Sequence, residues 1–378
     1  ENKLVSMFWP RTLRGILPHI ESMSTIAEVS SKGRNLIANF LKPEFLRDCV
    51  PIVDAVAKKH FDSKWDSQSE VKALPLAREY SFAVASKLFL SIEDPLIIEG
   101  ISKPFGVLTA GILGIPVNLP GMAYYKGIKA SNLIREKLFE IIKERKAHLM
   151  AGKSPRSHDL LWDLITEADE NGKFLSELEI ADSLITYLLA SQDASSTDLT
   201  FLVKYLAEYH HVYQEVLKEQ RSIAQDKQSS ELNWKDVQNM KYSWNAVCEV
   251  MRLIPPAQGN FREARTDFTY CGFFIPKGWK LYWSPHTTHK DPQYFPDPEK
   301  FDPSRFEGIG PAPYTYVPFG GGPRICPGKD LARIIILVFV YNLVQRFHWE
   351  KILPEEKIMI QPVPILAKGL PVRLHPRT

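Results

Sequence analysis

A cysteine in a glycine-rich run is the residue best placed to do chemistry in this chain of 378 residues. Residues 319–328 read FGGGPRICPG, with Cys326 two positions after Arg324 and just before the run KDLARIIILVFVYNLVQRF. Three consecutive glycines suit a backbone held closely against a flat or bulky object, because glycine lacks a Cβ. The apolar run predicts a helix, and the unpaired N–H groups of a helix N-terminus favour an anion such as a thiolate. The pattern indicates a cysteine thiolate that binds haem iron; the alternative is an ordinary buried cysteine in a turn before a helix.

The same run resembles the haem-binding loop of the cytochrome P450 superfamily. Five positions fit its pattern F-x-x-G-x-R-x-C-x-G without a mismatch: Phe319, Gly322, Arg324, Cys326 and Gly328. The resemblance implies that Cys326 is the axial ligand of haem b and that Phe319 and Gly320 contact the haem. A thiolate ligand pushes electron density to the iron and favours cleavage of the O–O bond.

A second candidate segment is the stretch of small and polar residues at 190–197, inside a helix predicted over 176–209. Ser176 and Glu179 fit a capping box at the start of that helix. Small side chains in mid-helix would let a flat ligand lie against it, and freed carbonyls or hydroxyls could hold water. The alternative is a helix with small packing residues.

The resemblance matches this stretch to the family pattern A/G-G-x-D/E-T-T/S. Ala190 and Asp193 agree with the pattern, whereas Ala194 stands where the family has a threonine that takes part in oxygen activation. Alanine has no hydroxyl, and Ser195 lies about 100° further round the helix, so it could substitute only through a bulge or a water. We expect Asp193 and Ser195 to form the proton relay and Ala190 to contact the haem.

A charged set further along the chain predicts a structural network. Glu249 and Arg252 are three residues apart in a helix predicted over 241–251 and would share one face. Such a pair is a weak signal by itself. The resemblance identifies it as the family's E-x-x-R, whose partner is Arg305 in the proline-dense meander of residues 289–306.

Arginines are expected to hold the haem propionates, since a guanidinium is always charged and can donate two hydrogen bonds to one carboxylate. Their places in the family pattern select Arg262 and Arg324, with Arg34 on an early helix as a third candidate. Each arginine taken alone has the character of a surface residue. His286 and His289 have no carboxylate or thiol companion, so we do not predict a metal pair there.

Three segments are especially similar to plant terpenoid oxidases of the triterpene and taxane types: residues 261–280, 301–329 and 365–376. This likeness implies a large, hydrophobic, polycyclic substrate. It also implies pocket positions at Leu188, Ala257, Gln258, Val363 and Ile365. The apolar residues 107–119, which precede a long predicted helix, would roof that pocket or form part of a buried helix pair.

The composition fits a globular enzyme. The chain is 44% hydrophobic and 24% charged, and its net charge of +3 is too small to argue for nucleic acid. Four cysteines in so long a chain do not predict a disulfide framework. No run reaches the ~18 apolar residues of a membrane-spanning helix. Residue spacing predicts helices over 24–41, 45–61, 74–90, 123–149, 176–209 and 241–251, with a break at 41–46 before Pro43.

The first residues contain neither a signal peptide nor a membrane anchor. Plant members of the family usually have an N-terminal anchor and an early β-rich segment. We therefore expect one cytochrome P450-type domain over residues 1–378 that lacks both. The resemblance also implies that the full-length protein is associated with the endoplasmic reticulum membrane on its cytoplasmic face.

The expected fold is mainly helical and two-lobed, with small β-sheets and with haem between the helix at Ala190 and the loop at Cys326. The expected function is haem-thiolate monooxygenation of a hydrophobic substrate, with O₂ and with electrons from an NADPH-dependent reductase. Two alternatives stay open. Ala194 is also compatible with enzymes of the superfamily that isomerise or dehydrate hydroperoxides without O₂ or a reductase. A truncated chain could also fold poorly and bind no haem.

Overall fold

The computed structural model describes residues 4–19, 31–152, 158–168, 172–227 and 229–377. Contacts divide the chain into two compact units. The first unit comprises Glu1–Phe40, Ala85–Ala190 and Gly259–Trp283, and the second comprises Leu41–Val84, Ser191–Gln258 and Ser284–Thr378. The single domain over residues 1–378 stays a prediction.

Helices dominate both units, as the sequence predicts. In chain order they are α1 (Arg11–Ile16), α2 (Ser31–Phe40), α3 (Pro43–Lys64), α4 (Ala73–Leu90), α5 (Pro95–Ser102), α6 (Phe105–Ile112), α7 (Ala123–Met150), α8 (Leu160–Thr166), α9 (Glu177–Glu208), α10 (His210–Asp226), α11 (Trp234–Asn239), α12 (Lys241–Leu253), α13 (Pro285–His289) and α14 (Lys329–Arg346). The strands are β1 (Val5–Met7), β2 (Glu70–Lys72), β3 (Asn260–Ala264), β4 (Phe268–Tyr270), β5 (Phe273–Ile275), β6 (Lys280–Trp283), β7 (Phe347–Lys351), β8 (Ile358–Ile360), β9 (Pro364–Leu366) and β10 (Pro371–Pro376).

The strands pair into small antiparallel sheets. In the first unit the strand orders are β1-β3-β6 and β4-β5; in the second they are β2-β10-β7 and β8-β9. Arg262 lies on the middle strand β3, opposite Met7 on one side and Leu281 on the other. The mainly helical fold with small sheets is confirmed.

The predicted helices are confirmed, with shifts of a few residues at their ends. The capping box before α9 is present: the backbone N–H of Ser176 donates to Glu179 Oε2 at 2.8 Å, and the N–H of Glu179 donates to Ser176 Oγ at 3.3 Å. The predicted break at 41–46 is shorter than expected, because proline is well tolerated at the first position of a helix and α3 begins at Pro43. Residues 24–30 of the first predicted helix lie outside the described part of the chain.

In the first unit, α6 and α7 approach each other at two glycines. A Cβ added to Gly111 would lie 2.7 Å from the Cα of Gly127, so the two backbones are nearly in contact. After α6 the chain is exposed, with Leu113 57%, Ile115 66% and Leu119 60% accessible. The apolar stretch at 107–119 is therefore only partly a buried helix pair.

A buried ion pair joins α7 to the first half of α9 within the same unit. Arg135 Nε donates to Asp182 Oδ1 at 2.6 Å, and Arg135 Nη2 donates to the carbonyl of Ile16 at 2.6 Å. The second oxygen, Asp182 Oδ2, accepts from the backbone N–H of His19 at 3.1 Å. Each carboxylate oxygen thus has a donor, which is what a buried charge requires.

Helix α14 is the core of the second unit. Almost every residue from Leu331 to Val344 is buried, and a helix that is apolar all round must be enclosed by its neighbours. The Tyr80 hydroxyl on α4 donates to the carbonyl of Ile335 at 3.0 Å. On α3, Asp54 Oδ1 accepts from the amide of Asn342 at 3.1 Å. These bonds fix the helix that follows Cys326.

Candidate active site

Cys326 lies at the end of a tight loop in the second unit. Its backbone N–H donates to the carbonyl of Phe319 at 2.9 Å and closes the loop. Gly320 and Gly322 have φ angles of +74° and +64°, a conformation that strains residues with a Cβ. The cap of α14 is Gly328, two residues after the cysteine. The glycine run is therefore required by this turn, which leaves Cys326 exposed just before a helix N-terminus.

The residues around Cys326 fit a haem. Among the described atoms, a Cβ built on Gly320 meets nothing within 4 Å, and one built on Gly321 meets only the ring of Tyr314 at 3.7 Å. That face of the loop is therefore open to a flat ligand. Arg324, in a short 3₁₀ turn over Gly322–Arg324, is half-buried and supplies a cation suited to a carboxylate. An exposed thiol with an open glycine face and a nearby arginine is a donor set suited to an iron porphyrin.

The structure brings Glu249, Arg252 and Arg305 together, as the sequence predicts. Arg252 donates from Nε to Glu249 Oε2 at 2.6 Å and from Nη2 to Oε1 at 2.8 Å. Arg305 Nε lies 3.4 Å from Glu249 Oε1, which also accepts from the backbone N–H of Asp302 at 2.9 Å. Glu249 and Arg252 are fully buried. The network joins α12 to the meander that leads into the cysteine loop.

The remaining donors of Arg252 bind the meander backbone. Its Nη1 donates to the carbonyls of His289 and Pro298 at 2.9 and 2.7 Å, and Nη2 donates to that of Lys300 at 3.1 Å. One guanidinium therefore satisfies backbone carbonyls on both sides of a proline-rich segment that forms few backbone bonds of its own.

Burial increases along residues 190–197 of α9, from exposed Ala190 to buried Ser195–Thr197, and two of the hydroxyls are used for structure. Ser196 Oγ donates to the carbonyl of Asp193 at 3.2 Å, and Thr197 Oγ1 donates to the carbonyl of Pro364 at 3.2 Å. Asp193 and Ala194 are half-buried, whereas Ser195 is buried. Asp193 and Ser195 are two residues apart on α9, and the proton relay stays a prediction.

The predicted pocket residues occupy different places. Ile365 is buried on β9 and Val363 is half-buried just before it, and the Thr197–Pro364 bond ties this strand to α9. Leu188 is buried in the part of α9 that belongs to the first unit. Ala257 is exposed after α12, and Gln258 is half-buried with its amide donating to the carbonyl of Pro255. Their role as pocket lining stays a prediction.

The other predicted haem contacts lie in the first unit. Arg262 is half-buried on β3, and its Nη1 donates to the carbonyl of Phe261 at 3.0 Å. Ala190 is the last residue of the part of α9 assigned to this unit. Arg34 lies on α2, but its side chain is outside the described part of the structure. The roles of Arg262, Ala190 and Arg34 stay predictions.

A family model described as cytochrome P450 matches residues 114–373. The chain belongs to the cytochrome P450 family. A beta-amyrin 28-monooxygenase of Vitis vinifera is 52% identical to this P450 over 377 residues, which are 100% of this chain and 78% of the relative. A beta-amyrin 6-beta-monooxygenase of Solanum lycopersicum is 49% identical over 380 residues, which are 100% of this chain and 79% of that relative. The fold is similar to the solved structure of a retinoic acid-bound cyanobacterial CYP120A1, with a TM-score of 0.91 and 30% sequence identity. The match covers 100% of this chain and 86% of the CYP120A1 chain.

These comparisons confirm the family, the fold and the monooxygenase class that the cysteine loop predicts. The family implies haem with a cysteine ligand, O₂ and electrons supplied by a reductase. None of the comparisons favours an isomerase or a dehydratase. No helix within the described residue ranges is both long enough and apolar enough to cross a membrane.

Burial distinguishes Cys326 from the core cysteines of this P450. Burial raises the pKa of Cys248 to about 12 and that of Cys49 to about 12, so both thiols are neutral. A thiolate is the form that ligates a metal. Cys326 is exposed instead, so its sulfur is accessible to a cofactor, and the other exposed cysteine, Cys271, lies on the β4–β5 turn.

Sequence reasoning missed Asp198, one helical turn after Ala194 on α9. Its side chain is 3% exposed, and Oδ1 has no hydrogen-bond partner in the described part of the chain. Burial raises the pKa of Asp198 well above its usual range. The signal in the sequence was an acidic residue between Thr197 and Leu199 inside an apolar helix, where a charge is unexpected.

Proposed function

We propose that this P450 oxidises a terpenoid of the triterpene class, with beta-amyrin as the first candidate, and binds haem b through Cys326. The observation that carries the cofactor assignment is the loop geometry of Cys326, with an exposed thiol beside an open glycine face. The substrate class is supported by beta-amyrin monooxygenases that are 48% to 52% identical over nearly the whole chain. The proposed partner is an NADPH-dependent reductase.

When bound, haem held by a thiolate would supply the oxidising chemistry, in which O₂, two electrons and two protons give one oxygen atom inserted into a C–H bond and one molecule of water. The chain stabilises the thiolate of Cys326 by its position just before α14, because the unpaired N–H groups of a helix N-terminus favour negative charge. Arg324 would hold a propionate, with Arg262 and Arg34 as further contacts. Phe319 and Gly320 would cover the haem beside the cysteine.

Proton delivery is assigned to α9. The half-buried carboxyl of Asp193 can take up a proton from solvent, and Ser195 can pass it on through a water. Ala190 would let the haem lie close to the helix. Leu188, Val363 and Ile365 would supply apolar contacts for the substrate, with Ala257 and Gln258 at the end of α12. These contacts would exclude bulk water from the substrate.

The ferrous–carbon monoxide difference spectrum tests the cofactor assignment. The purified protein is expected to show the red-shifted Soret band of a thiolate-ligated haem, and Cys326→Ala is expected to lose it. Cys271→Ala is the matched control, because Cys271 is also exposed but lies on the β4–β5 turn in the first unit. A Cys326→Ala protein that keeps the red-shifted band would overturn the assignment.

Turnover tests the substrate class and the reaction type. Beta-amyrin should be converted to a product heavier by one oxygen atom, with ¹⁸O₂ as the source of that atom. Conversion should need both NADPH and the reductase. Turnover without either would indicate the isomerase or dehydratase chemistry instead.

We also propose that the full-length protein lies on the cytoplasmic face of the endoplasmic reticulum. Fractionation of plant cells that express the protein would test this location.

A further inference from the structure

We propose that Asp198 holds a proton as a neutral carboxylic acid and donates a hydrogen bond on the face of α9 that carries Ala194. It would thereby supply the donor that the threonine hydroxyl provides in the family pattern. The inference rests on the proposed function, because it takes Ala194 as the position used in oxygen activation. It adds a positioning residue that the family pattern does not contain.

Helix geometry puts the two residues on one face. Four residues correspond to about 400° of rotation and about 6 Å of rise, so Asp198 follows Ala194 by one turn with an offset of about 40°. Side chains on a helix tilt towards its N-terminus, so the Asp198 side chain leans over the turn that contains Ala194. The methyl group of Ala194 leaves room there that a threonine would partly fill.

The surroundings of Asp198 differ from those of three other buried acids, each of which has a cation beside it. Asp54 pairs with Lys58 at 2.7 Å, Asp182 with Arg135 at 2.6 Å and Glu249 with Arg252 at 2.6 Å. Asp198 is 3% exposed, has no cation beside it among the described ion pairs, and its Oδ1 has no hydrogen-bond partner there. A buried polar atom without a partner costs stability. Packing does not account for this residue, which therefore points to a ligand or a water in the working protein.

The titratable groups that act on this site also favour a neutral carboxyl. Cys248 on α12 and Tyr316 before the cysteine loop both interact electrostatically with Asp198. Burial raises the pKa of Cys248 to about 12 and that of Tyr316 well above its usual range, so both groups are neutral, and neither side chain is of a type that can carry a positive charge. The Tyr316 hydroxyl is already used, since it donates to the carbonyl of Cys248 at 3.0 Å. Burial raises the pKa of Asp198 well above its usual range and so favours the protonated carboxyl, whose O–H is a donor.

Infrared difference spectroscopy tests the protonation directly, without turnover. The wild-type protein at pH 8 should show the carbonyl stretch of a protonated carboxylic acid. Asp198→Asn should remove that band, and the matched control Asp226→Asn should retain it, because Asp226 is exposed at the end of α10. A spectrum without the band in the wild type, or with the same band in Asp198→Asn, would overturn the proposal. The outcome does not depend on which substrate is oxidised.

Coupling efficiency, the product formed per NADPH consumed, tests the donor role. Asp198→Ala should lower it about fivefold, the effect expected for one lost hydrogen bond, whereas Asp198→Asn keeps an N–H donor and should lower it less. Adding Ala194→Thr should restore coupling to Asp198→Ala, because the hydroxyl returns on the same face. Equal losses in Asp198→Ala and Asp198→Asn without rescue by Ala194→Thr would contradict a donor role.

Thermal stability separates this role from a structural one. Removing an unpartnered buried carboxyl should leave the melting temperature of Asp198→Ala equal to or above that of the wild type. A structural residue would lower it. The carbon monoxide spectrum of every variant should keep the thiolate band. Loss of that band in the wild type would contradict the proposed function, whereas a normal band with unchanged coupling in Asp198→Ala would contradict this inference alone.

Discussion

His289 accepts a hydrogen bond at Nε2 from the backbone N–H of Val317, at a distance of 2.8 Å. Val317 is where the chain turns towards the cysteine loop, because its carbonyl accepts from the N–H of Gly320 at 3.0 Å. The His289 ring is fully buried against Tyr316, with ring centroids 5.2 Å apart. The imidazole therefore fixes the start of the loop that carries Cys326, and it can do so only with Nε2 unprotonated.

Acid should weaken this contact. Burial lowers the pKa of His289 from 6.5 to about 4, so the unfolded chain binds a proton below pH 6.5 while the folded protein resists it down to about pH 4. The unfolding free energy should therefore fall as the pH decreases through that window, by up to about 3 kcal/mol from this residue. Denaturant titrations between pH 7 and pH 4 would measure the slope.

His289→Gln is the informative variant, because the amide oxygen of glutamine can accept a hydrogen bond but does not titrate. Its stability should depend less on pH than that of the wild type over the same window. His211→Gln is the control, since His211 is exposed at the start of α10 and should leave the slope unchanged. Identical slopes for the wild type and His289→Gln would show that His289 does not contribute.

Glu249→Gln should be among the most destabilising substitutions in the second unit. The change removes the carboxylate that neutralises Arg252 at 2.6 Å and Arg305 at 3.4 Å, and Arg252 is fully buried. An uncompensated buried charge costs about 3–5 kcal/mol. The meander would loosen, so we expect loss of bound haem as well. Denaturant unfolding and haem content per protein measure both effects.

Glu215→Gln is the matched control for Glu249→Gln. Glu215 pairs with Lys218 at the same three-residue spacing and at 3.5 Å, but both side chains are exposed. Solvent screens such a pair, so its loss should cost less than about 0.5 kcal/mol and leave haem content unchanged. Equal effects of the two substitutions would show that the Glu249 network does not depend on burial.

The loop of Cys326 could be predicted from sequence because its chemistry is local. A glycine turn, a cysteine and the following helix occupy one short segment, so residue types and spacing are enough. The E-x-x-R pair was predictable for the same reason. His289 could not be assigned, because its partner Val317 is 28 residues away and the contact depends on how the meander folds. Asp198 was missed because its character comes from burial in the folded protein, which no spacing along α9 reveals.

Ala194→Thr should raise the product formed per NADPH and lower the hydrogen peroxide released. The threonine would restore a hydroxyl at the position where the family has one, and Ala194 is half-buried, so the added atoms can be accommodated. Ala207→Thr is the control, because Ala207 is half-buried near the end of the same helix and tests the cost of a β-branched residue there. Unchanged coupling when Ala194→Thr is introduced into both the wild type and Asp198→Ala, with each protein folded and haem-loaded, would contradict the assigned position.

Two glycines of α6 should respond to the same substitution with opposite signs. In Gly111→Ala the new Cβ would lie 2.7 Å from Gly127 Cα and 3.1 Å from the Ala123 carbonyl, so α6 and α7 must separate. Such overpacking costs about 1–3 kcal/mol. In Gly106→Ala the Cβ meets no described atom within 4 Å, and the better helix propensity of alanine should add about 0.5 kcal/mol. Thermal unfolding compares the two variants. A Gly111→Ala protein as stable as Gly106→Ala would contradict a close approach of α6 and α7.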